Sequence, residues 1–216
     1  MAQKSLLITR PFYENPTNYL YHWSKPLIKL AKDKGFEVID LTREKVVRKE
    51  VEGRLKKVNP ELVVLNGHGS VDEVFGQDGK TLFVKGENEA LLANKIVFAR
   101  SCLSAKGLGK SCVKKGTKAY IGYLEDFIFV SDNSCTTKPL EDKTAALFLE
   151  PSNQTVRSLL KGNSAGLSNE SGKNLFLKNI LKLLTSESDK ADSENVRYLI
   201  WDMKHQICLG DQDAVI

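Results

Sequence analysis

The chain has 216 residues and a mass of 24.1 kDa, which is enough for one large domain with its own hydrophobic core. Its 41% apolar and 27% charged residues are proportions typical of soluble domains, and no run approaches the roughly 18 apolar residues that span a bilayer. The net charge of +5 is small and dispersed, without a basic stripe interleaved with aromatic residues, which argues against nucleic-acid binding.

The N-terminal residues and the cysteines indicate the compartment. Only five apolar-leaning residues precede Arg10-Pro11, too few for a secretory signal, so we expect a cytoplasmic protein without membrane association. Four cysteines occur, at Cys102, Cys112, Cys135 and Cys208. Their spacing fits no metal-ligand pattern, and in a reducing compartment we expect free thiols. We therefore expect neither a metal nor another cofactor.

The first part of the chain alternates between short apolar runs and longer amphipathic runs. Three apolar runs predict strands, at residues 5–9, 36–41 and 62–65. Two amphipathic runs predict helices, at residues 19–34 and 42–58. Pro26 predicts a kink or a later start in the first helix, which Gly35 ends. This alternation implies right-handed crossovers and a parallel sheet with helices on both faces.

The rest of the chain continues the pattern after one interruption. Asp78-Gly79 predicts a β-hairpin over residues 74–84. Further strands are expected at residues 95–99 and 118–123, and helices at residues 87–93, 108–115, 144–149, 155–160 and 172–184. We expect a polar loop at 131–138, a charged linker at 187–194, and a late strand pair or long strand at 197–209. Residues 1–216 are thus predicted to form a single α/β domain.

Two of the predicted strands end in reactive side chains. Residues 62–65 run into Asn66-Gly67-His68-Gly69, and residues 95–99 run into Arg100-Ser101-Cys102. The intervening hairpin and helix are long enough for the chain to return parallel in the neighbouring strand. If the two strands are neighbours, His68 and Cys102 meet at the carboxyl edge of the sheet, where open α/β sheets bind their ligands.

A thiol beside an imidazole is the minimum apparatus for covalent acyl transfer. Cys102 Sγ would attack a peptide carbonyl. His68 would either hold the sulfur as a thiolate or take the thiol proton, and would then protonate the leaving amine. The backbone amides of Gly69 and Cys102 are candidate donors to the oxyanion. No third, carboxylate member is required, because a thiol is far more acidic than a serine hydroxyl.

These motifs resemble those of the caspase-like superfamily of cysteine peptidases, which includes caspases, metacaspases, gingipains, clostripain, separase and the CHAT proteins. That family carries His-Gly after its third strand and a small residue plus Cys after its fourth, here His68-Gly69 and Ser101-Cys102. The closest resemblance is to the CHAT and gingipain branches, through the stretch ARSCLSAKGLGKSCVKKGTKAYIGYL and the ending YLIWDMKHQICLGDQDAVI. The resemblance implies a caspase-like three-layer sandwich around a mostly parallel sheet.

The departures from the family pattern argue against a true caspase. The Gln-Ala-Cys-Arg-Gly motif is absent, Arg100 replaces the acid often found near the metacaspase cysteine, and Gln212 stands where proline is usual. The resemblance also implies a specificity pocket containing an acid or an arginine. Asp126 and Asp142 are candidates that would favour a basic substrate residue, and Arg10 is a candidate that would favour an acidic one.

The sequence therefore predicts a cysteine endopeptidase that acts on a protein or peptide substrate through His68 and Cys102. The alternative is a catalytically inactive caspase-like module that binds or scaffolds a partner. The resemblance implies a site held inactive until a partner, an ion or a cleavage rearranges the loops, so an activating or regulatory protein partner is one of the expectations. The oligomeric state is left open.

Overall fold

The computed structural model describes residues 3–185 and 193–216 and contains a six-stranded sheet. Its strands are β1 (Ser5–Arg10), β2 (Glu37–Thr42), β3 (Leu62–Asn66), β6 (Ile96–Arg100), β7 (Ala119–Tyr123) and β8 (Gln206–Gly210). The spatial order is β2-β1-β3-β6-β7-β8, and only the β7–β8 pairing is antiparallel. The predicted parallel sheet is thus confirmed, with one antiparallel edge strand.

A separate antiparallel hairpin follows β3. It consists of β4 (Glu73–Phe75) and β5 (Thr81–Val84), joined through a single 3₁₀ turn at Gln77–Gly79. Asp78 and Gly79 both adopt positive φ angles there, 55° and 69°. The Asp-Gly pair therefore supplies the left-handed backbone that the turn needs, as its sequence predicted.

Seven α-helices occur in the described residues. They are α1 (Asn15–Trp23), α2 (Lys25–Asp33), α3 (Arg48–Val58), α4 (Leu108–Lys114), α5 (Lys143–Leu160), α6 (Ala165–Leu183) and α7 (Val196–His205). None of the helices in the described ranges is both long and apolar enough to cross a bilayer.

Helices cover both faces of the sheet, because the central strands β1, β3, β6 and β7 are buried on both sides. One face packs alternate strand residues, such as Ile8, Val64 and Phe98, against α2, α5 and the start of α6. The opposite face packs Leu7 and Val97, among others, against α3, α4 and the hairpin. The result is a three-layer α/β sandwich, as predicted.

Several helix boundaries differ from the sequence prediction. The predicted helix 19–34 is two helices, α1 and α2, that meet at Ser24 two residues before Pro26. The predicted helices 144–149 and 155–160 are one continuous helix, α5, which contains Pro151. The predicted helix 87–93 is only a 3₁₀ turn at Glu89–Leu92.

The prediction of a late strand pair or a long strand at 197–209 is wrong for its first part. Residues Val196–His205 form α7, and only Gln206–Gly210 form a strand. Leu199, Asp202 and Met203 are spaced as one face of a helix, and Leu199 packs with Phe176 and Ile180 of α6. Most of the predicted linker 187–194 lies outside the described residues.

Candidate active site

The register between β3 and β6 sets the positions of His68 and Cys102. The paired residues run from Leu62 opposite Ile96 to Asn66 opposite Arg100, an offset of 34 positions. The same offset relates His68 to Cys102, each two residues past the last pair. His68 and Cys102 therefore follow neighbouring parallel strands at the same carboxyl edge of the sheet.

Gly69 packs directly against the backbone of Cys102. A Cβ atom at this position would lie 2.6 Å from the Cys102 carbonyl oxygen, 3.2 Å from its amide nitrogen and 2.9 Å from Ser101 Cβ. Contacts below 3.0 Å essentially never occur for real Cβ atoms, so only glycine lets the two strand ends approach this closely.

The His68 imidazole is held by a carboxylate. Its Nε2 contacts Oε1 of Glu14, which lies between β1 and α1. Both side chains are partly open to solvent, with 44% and 41% of their surface exposed. The ring of Tyr13 lies 6.4 Å from the imidazole, centroid to centroid, and flanks it on one side. Because Nε2 is engaged, Nδ1 is the ring nitrogen available for proton transfer.

The Cys102 thiol is half-buried and donates to the carbonyl oxygen of Phe127 at 3.9 Å. Burial raises the pKa of this thiol to about 11, and the nearby Asp126 carboxylate pushes it in the same direction. No hydrogen bond joins Cys102 to His68 in the part of the chain that the structure describes. The resting site therefore contains a protonated thiol.

The residue after the cysteine adopts an unusual backbone conformation. Leu103 has a φ angle of 60°, in the left-handed region that residues with a side chain rarely occupy. Its amide donates to the carbonyl of Glu125 at 3.2 Å, which ties the turn to the loop after β7. This turn holds Cys102 at the end of its strand, facing the loop that carries Phe127.

Cys102 and His68 line one common cavity of about 50 Å³. Its other walls come from the two strand ends, from α1 and from the loop after β7: Gly67, Arg100, Ser101, Pro16, Thr17, Leu20, Phe127 and Phe129. We call this space the Cys102 cavity. The surface that lines the cavity is mainly apolar, so a polar group that enters the cavity leaves water behind.

The two candidate oxyanion donors have free amides. His68 O and Ser70 N bond to Phe75 and Glu73 on the hairpin side, so the intervening Gly69 amide points away from the hairpin. Neither the Gly69 nor the Cys102 amide has an acceptor among residues 3–185 and 193–216. Both amides are therefore available to a substrate oxygen.

Two of the three residues predicted to form the specificity pocket, Asp142 and Arg10, do not line the Cys102 cavity. Asp142 is 1% exposed and caps α5, accepting from the Ala145 amide at 2.9 Å and from the Tyr19 hydroxyl at 2.7 Å. Arg10 forms a two-point ion pair with Asp40, at 2.5 and 2.8 Å. The structure places neither side chain in the Cys102 cavity, because each is held by its own partner.

Asp126, the third candidate, stands at the exposed start of the loop after β7, near the thiol but outside the lining of the cavity. Its backbone carbonyl accepts from Trp201 Nε1 at 2.9 Å, which attaches this loop to α7. A role for Asp126 in substrate preference stays a prediction.

Two residues of the site were not found from the sequence. Glu14 follows β1, whose carboxyl end lies beside that of β3 because the two strands pair, and this position was the available signal. Arg100 was noted only as a departure from a family pattern. It is the last residue of β6, two positions before the cysteine, and its side chain donates to Ser152 and Asn153.

The residues present offer no metal centre. Within the described ranges, no group of three or more His, Cys, Asp or Glu side chains is arranged to hold a metal ion.

Comparisons with known proteins support the fold. No protein-family model and no curated protein matches the sequence. Among solved structures, the chain is similar to the Arg-specific cysteine proteinase gingipain R (RgpB), with a TM-score of 0.65 and 15% identity over 98% of this chain. It is also similar to the complex of the Porphyromonas gingivalis RgpB pro- and mature domains, with a TM-score of 0.61 and 11% identity over 98% of this chain.

The chain spans about half the length of the solved chains that it matches, 47% and 48%. Identities this low establish the fold alone, and the CHAT resemblance stays a prediction. The mostly parallel six-stranded sheet between two layers of helices is the caspase-like fold of the gingipain cysteine peptidases.

Proposed function

We propose that this chain is a cysteine endopeptidase in which Cys102 is the nucleophile, His68 the general base and acid, and Glu14 the residue that orients the imidazole. The observation that carries the proposal is the common cavity: neighbouring strands bring an imidazole and a thiol to the same level and the same space. A peptidase-like fold with free amides beside the thiol supports it.

The contacts of His68 determine which ring nitrogen carries a proton and which can accept one. In the neutral ring, Nε2–H donates to Glu14 and Nδ1 carries the lone pair. When a peptide carbonyl reaches Cys102, the thiol proton passes to Nδ1 as Sγ forms its bond to the carbonyl carbon. The imidazolium then carries a positive charge that the Glu14 carboxylate stabilises.

The remaining steps use the same groups in reverse. The amides of Gly69 and Cys102 donate to the oxyanion of the tetrahedral intermediate. His68 returns the proton to the departing amine, which leaves a thioester between the substrate acyl group and Cys102. Water attacks this thioester, His68 takes the water proton, and the carboxylic acid product and the free thiol are released.

The resting thiol needs the substrate to become reactive. A thiol with a pKa of about 11 is protonated at neutral pH, and this thiol donates to the Phe127 carbonyl. Catalytic hydrogen bonds are often long or absent in unliganded enzymes and form in the complex. A substrate carbonyl that displaces the Cys102–Phe127 contact would turn the thiol towards His68.

The Cys102 cavity is small, so a partner protein could control access to it. One of the similar structures is a complex of RgpB mature and pro-domains, and the sequence resemblance also implied a controlling partner. For this chain we propose that a protein partner contacts the loop after β7, whose Phe127 and Phe129 wall the cavity, and so governs access to Cys102.

The alternative function, a catalytically inactive module that binds or scaffolds a partner, is favoured by one observation. The thiol and the imidazole are each bonded to another group and not to one another. Such a module would bind its partner equally well after Cys102→Ala and would cleave no peptide.

The deciding experiment compares wild type with Cys102→Ala on a mixture of unstructured peptides, with cleavage mapped by mass spectrometry. The expected result is cleavage by wild type and a loss of roughly 10⁴-fold or more in the variant, since removal of a covalent nucleophile costs that much. Cys135→Ala is the matched control: this thiol lies in a polar loop after Asp132, and its removal should leave the rate unchanged. Equal rates for wild type and Cys102→Ala would end the proposal.

A further inference from the structure

The first residues after β7 pass between the Cys102 turn and α7. They are residues 124–129, which we call the strap, and the pairing of β7 with β8 ends just before them, at Tyr123. All six residues are described by the structure, and none of them belongs to a helix or a strand. The position of such a segment depends on its individual contacts, so these contacts decide how firmly it stays in place.

One side of the strap contacts the nucleophile. The Phe127 carbonyl accepts from the Cys102 thiol at 3.9 Å, and the Glu125 carbonyl accepts from the Leu103 amide at 3.2 Å. Phe127 and Phe129 are also part of the wall of the Cys102 cavity. The odd-numbered residues of the strap therefore hold the turn that carries the sulfur and line the space beside it.

The other side of the strap is bonded to α7. Three hydrogen bonds join its even-numbered residues to this helix, and they pair Leu124 N with His205 O at 2.9 Å, Asp126 O with Trp201 Nε1 at 2.9 Å, and Ile128 N with Asp202 Oδ1 at 3.0 Å. The contacts to α7 and the contacts to the Cys102 turn thus alternate along the strap. A displacement of α7 must therefore move the carbonyl that holds the thiol.

Asp202 provides the main side-chain attachment of the strap. Its carboxyl is fully buried, and the bond from Ile128 is the one hydrogen bond of this side chain within residues 3–185 and 193–216. Trp201 is 39% exposed, so water competes for its bond to the strap. A hydrogen bond to a buried acceptor contributes more than an exposed one, because water cannot easily replace it.

Aromatic packing also holds the strap. The Phe127 ring lies 4.8 Å from that of Tyr123, and the Phe129 ring lies 5.6 Å from that of Tyr19, centroid to centroid. Loss of one hydrogen bond would therefore increase the fraction of molecules with an open strap without releasing the strap completely. A change of this kind is measured as the rate at which a reagent reaches the sulfur.

We propose that α7 controls the reactivity of Cys102 through the strap, and that Asp202 is the positioning residue that keeps the strap closed. While Asp202 holds the Ile128 amide, the Phe127 carbonyl stays bonded to the thiol. When this bond is lost or α7 moves, the sulfur becomes accessible. The inference deepens the proposed peptidase function, on which its meaning for catalysis rests. Its tests measure the thiol alone, so the two proposals can fail separately.

The first test compares alkylation of Cys102 by iodoacetamide at pH 8 in wild type, Asp202→Ala and Asp202→Asn. Asp202→Ala removes the acceptor of the Ile128 amide, so Cys102 should react about five- to tenfold faster, the factor by which loss of one hydrogen bond shifts the equilibrium between closed and open strap. Asp202→Asn is the matched control, since its amide oxygen can replace Oδ1, and its rate should stay within a factor of about 1.5 of wild type. Equal rates in wild type and Asp202→Ala, or equally fast labelling of both variants, would overturn the proposal.

Cys112 distinguishes opening of the strap from general unfolding. This thiol is fully buried in α4, in the core on the face of the sheet that α3 covers, so it reacts only when the domain itself opens. Its labelling is measured in the same samples and should be equal in wild type and both variants. If Cys112 reacted faster in parallel with Cys102 in Asp202→Ala, the carboxyl would stabilise the whole domain and the positioning role would be wrong.

Trp201→Phe tests the strap without a change in the core. The variant keeps a ring at a partly exposed position and removes the donor to the Asp126 carbonyl. Cys102 should react about two- to threefold faster, with Cys112 unchanged, because an exposed hydrogen bond contributes less. If Asp202→Ala does not fold, as judged by circular dichroism, this variant decides the question, and a rate equal to that of wild type contradicts the proposal. Faster labelling in the variants of a protein that cleaves no peptide would keep the strap and end the peptidase proposal.

Discussion

Glu14 and His68 are 54 residues apart in the chain, and the Glu14 carboxylate contacts Nε2 of the His68 imidazole at the carboxyl edge of the sheet. The backbone of Glu14 is fixed at the start of α1, where its amide donates to Thr17 Oγ at 3.1 Å and its carbonyl accepts from the Asn18 amide at 2.9 Å. Its side chain therefore reaches His68 from a rigid base. The contact selects the tautomer that leaves Nδ1 as the acceptor for the thiol proton.

Glu14→Gln tests this role. The amide keeps the size of the carboxylate but removes its charge and admits the wrong imidazole tautomer. We expect kcat to fall by about 10- to 100-fold, with KM nearly unchanged, because misplacement of a catalytic group costs that much. The measurement is steady-state kinetics, together with ¹⁵N chemical shifts of the His68 ring, which is one of only three histidines.

Glu44→Gln is the matched control for this change, because Glu44 is exposed after β2 and belongs to no ion pair in the described part of the chain. It should leave both kcat and the His68 spectrum as in wild type. Unchanged kcat in Glu14→Gln would contradict the orienting role.

Gly69→Ala tests the close approach of the two strand ends. The added methyl would meet the Cys102 carbonyl oxygen at 2.6 Å, so the cysteine or the His68 loop must shift. We expect peptidase activity to fall at least 100-fold, since a displacement of about 1 Å costs this much, and the free energy of unfolding to fall as well. Both quantities are measured on the same preparation, by peptide cleavage and by urea denaturation.

Gly53→Ala is the control for Gly69→Ala. Gly53 lies within α3, its added methyl would meet nothing within 4 Å, and its φ angle is ordinary. The substitution should raise the free energy of unfolding by about 0.5–1 kcal/mol through helix propensity and leave activity unchanged. If Gly69→Ala retained activity, the two strand ends would tolerate more separation than the proposal allows.

The sequence predicted the sheet and the two strand-end residues because these follow from local signals. Short apolar runs such as 62–65 must be buried, and an alternation with amphipathic runs leaves few topologies. The positions of His68 and Cys102 then follow from the strands themselves. The same reasoning failed at 197–209, where the buried Asp202 interrupts the apolar face of α7 and hides its helical period.

The rest of the site depends on contacts between distant parts of the chain. Glu14 has no motif of its own, and its role appears only when β1 and β3 pair. Arg100 is unusual because it forms no ion pair with the described residues, and the sequence cannot show which carboxylates are already engaged. For the same reason Arg10 and Asp142 were reasonable pocket candidates until Asp40 and the start of α5 were seen to hold them.

The protonation of the resting thiol gives a prediction for chemical labelling. With a pKa of about 11, only about one molecule in a thousand carries the Cys102 thiolate at pH 8. The rate of alkylation of Cys102 by iodoacetamide should therefore rise about tenfold per pH unit from pH 7 to pH 10, without a plateau. The rate is followed by mass spectrometry of the peptide that contains Cys102.

The His68→Ala variant distinguishes a protonated Cys102 thiol from a thiolate–imidazolium ion pair that exists before substrate binds. Because no hydrogen bond joins the two side chains at rest, His68→Ala should leave the iodoacetamide rate of Cys102 within a factor of about two. A plateau below pH 8 that disappears in His68→Ala would instead mean that the thiolate and imidazolium exist before substrate binds.

Asp202 gives a prediction for stability. Its carboxyl is fully buried on α7, where Oδ1 accepts from the Ile128 amide at 3.0 Å and Oδ2 has no partner among residues 3–185 and 193–216. Burial raises the pKa of Asp202 well above the usual range. The folded protein thus keeps a proton that the unfolded chain loses near pH 4, and the free energy of unfolding must fall as the pH rises above that value.

Asp202→Asn removes this dependence, because the amide cannot ionise and still accepts from Ile128. The variant should match wild type near pH 4 and exceed it at pH 7.5, by about 1.4 kcal/mol for each unit by which folding raises the pKa. Urea denaturation at the two pH values measures the difference, and Asp213→Asn, at an exposed position, should show none. If Asp202→Asn were less stable than wild type at pH 7.5, the prediction would be wrong. The Asp202 carboxylate would then have to be charged in the folded state and stabilised by a cation.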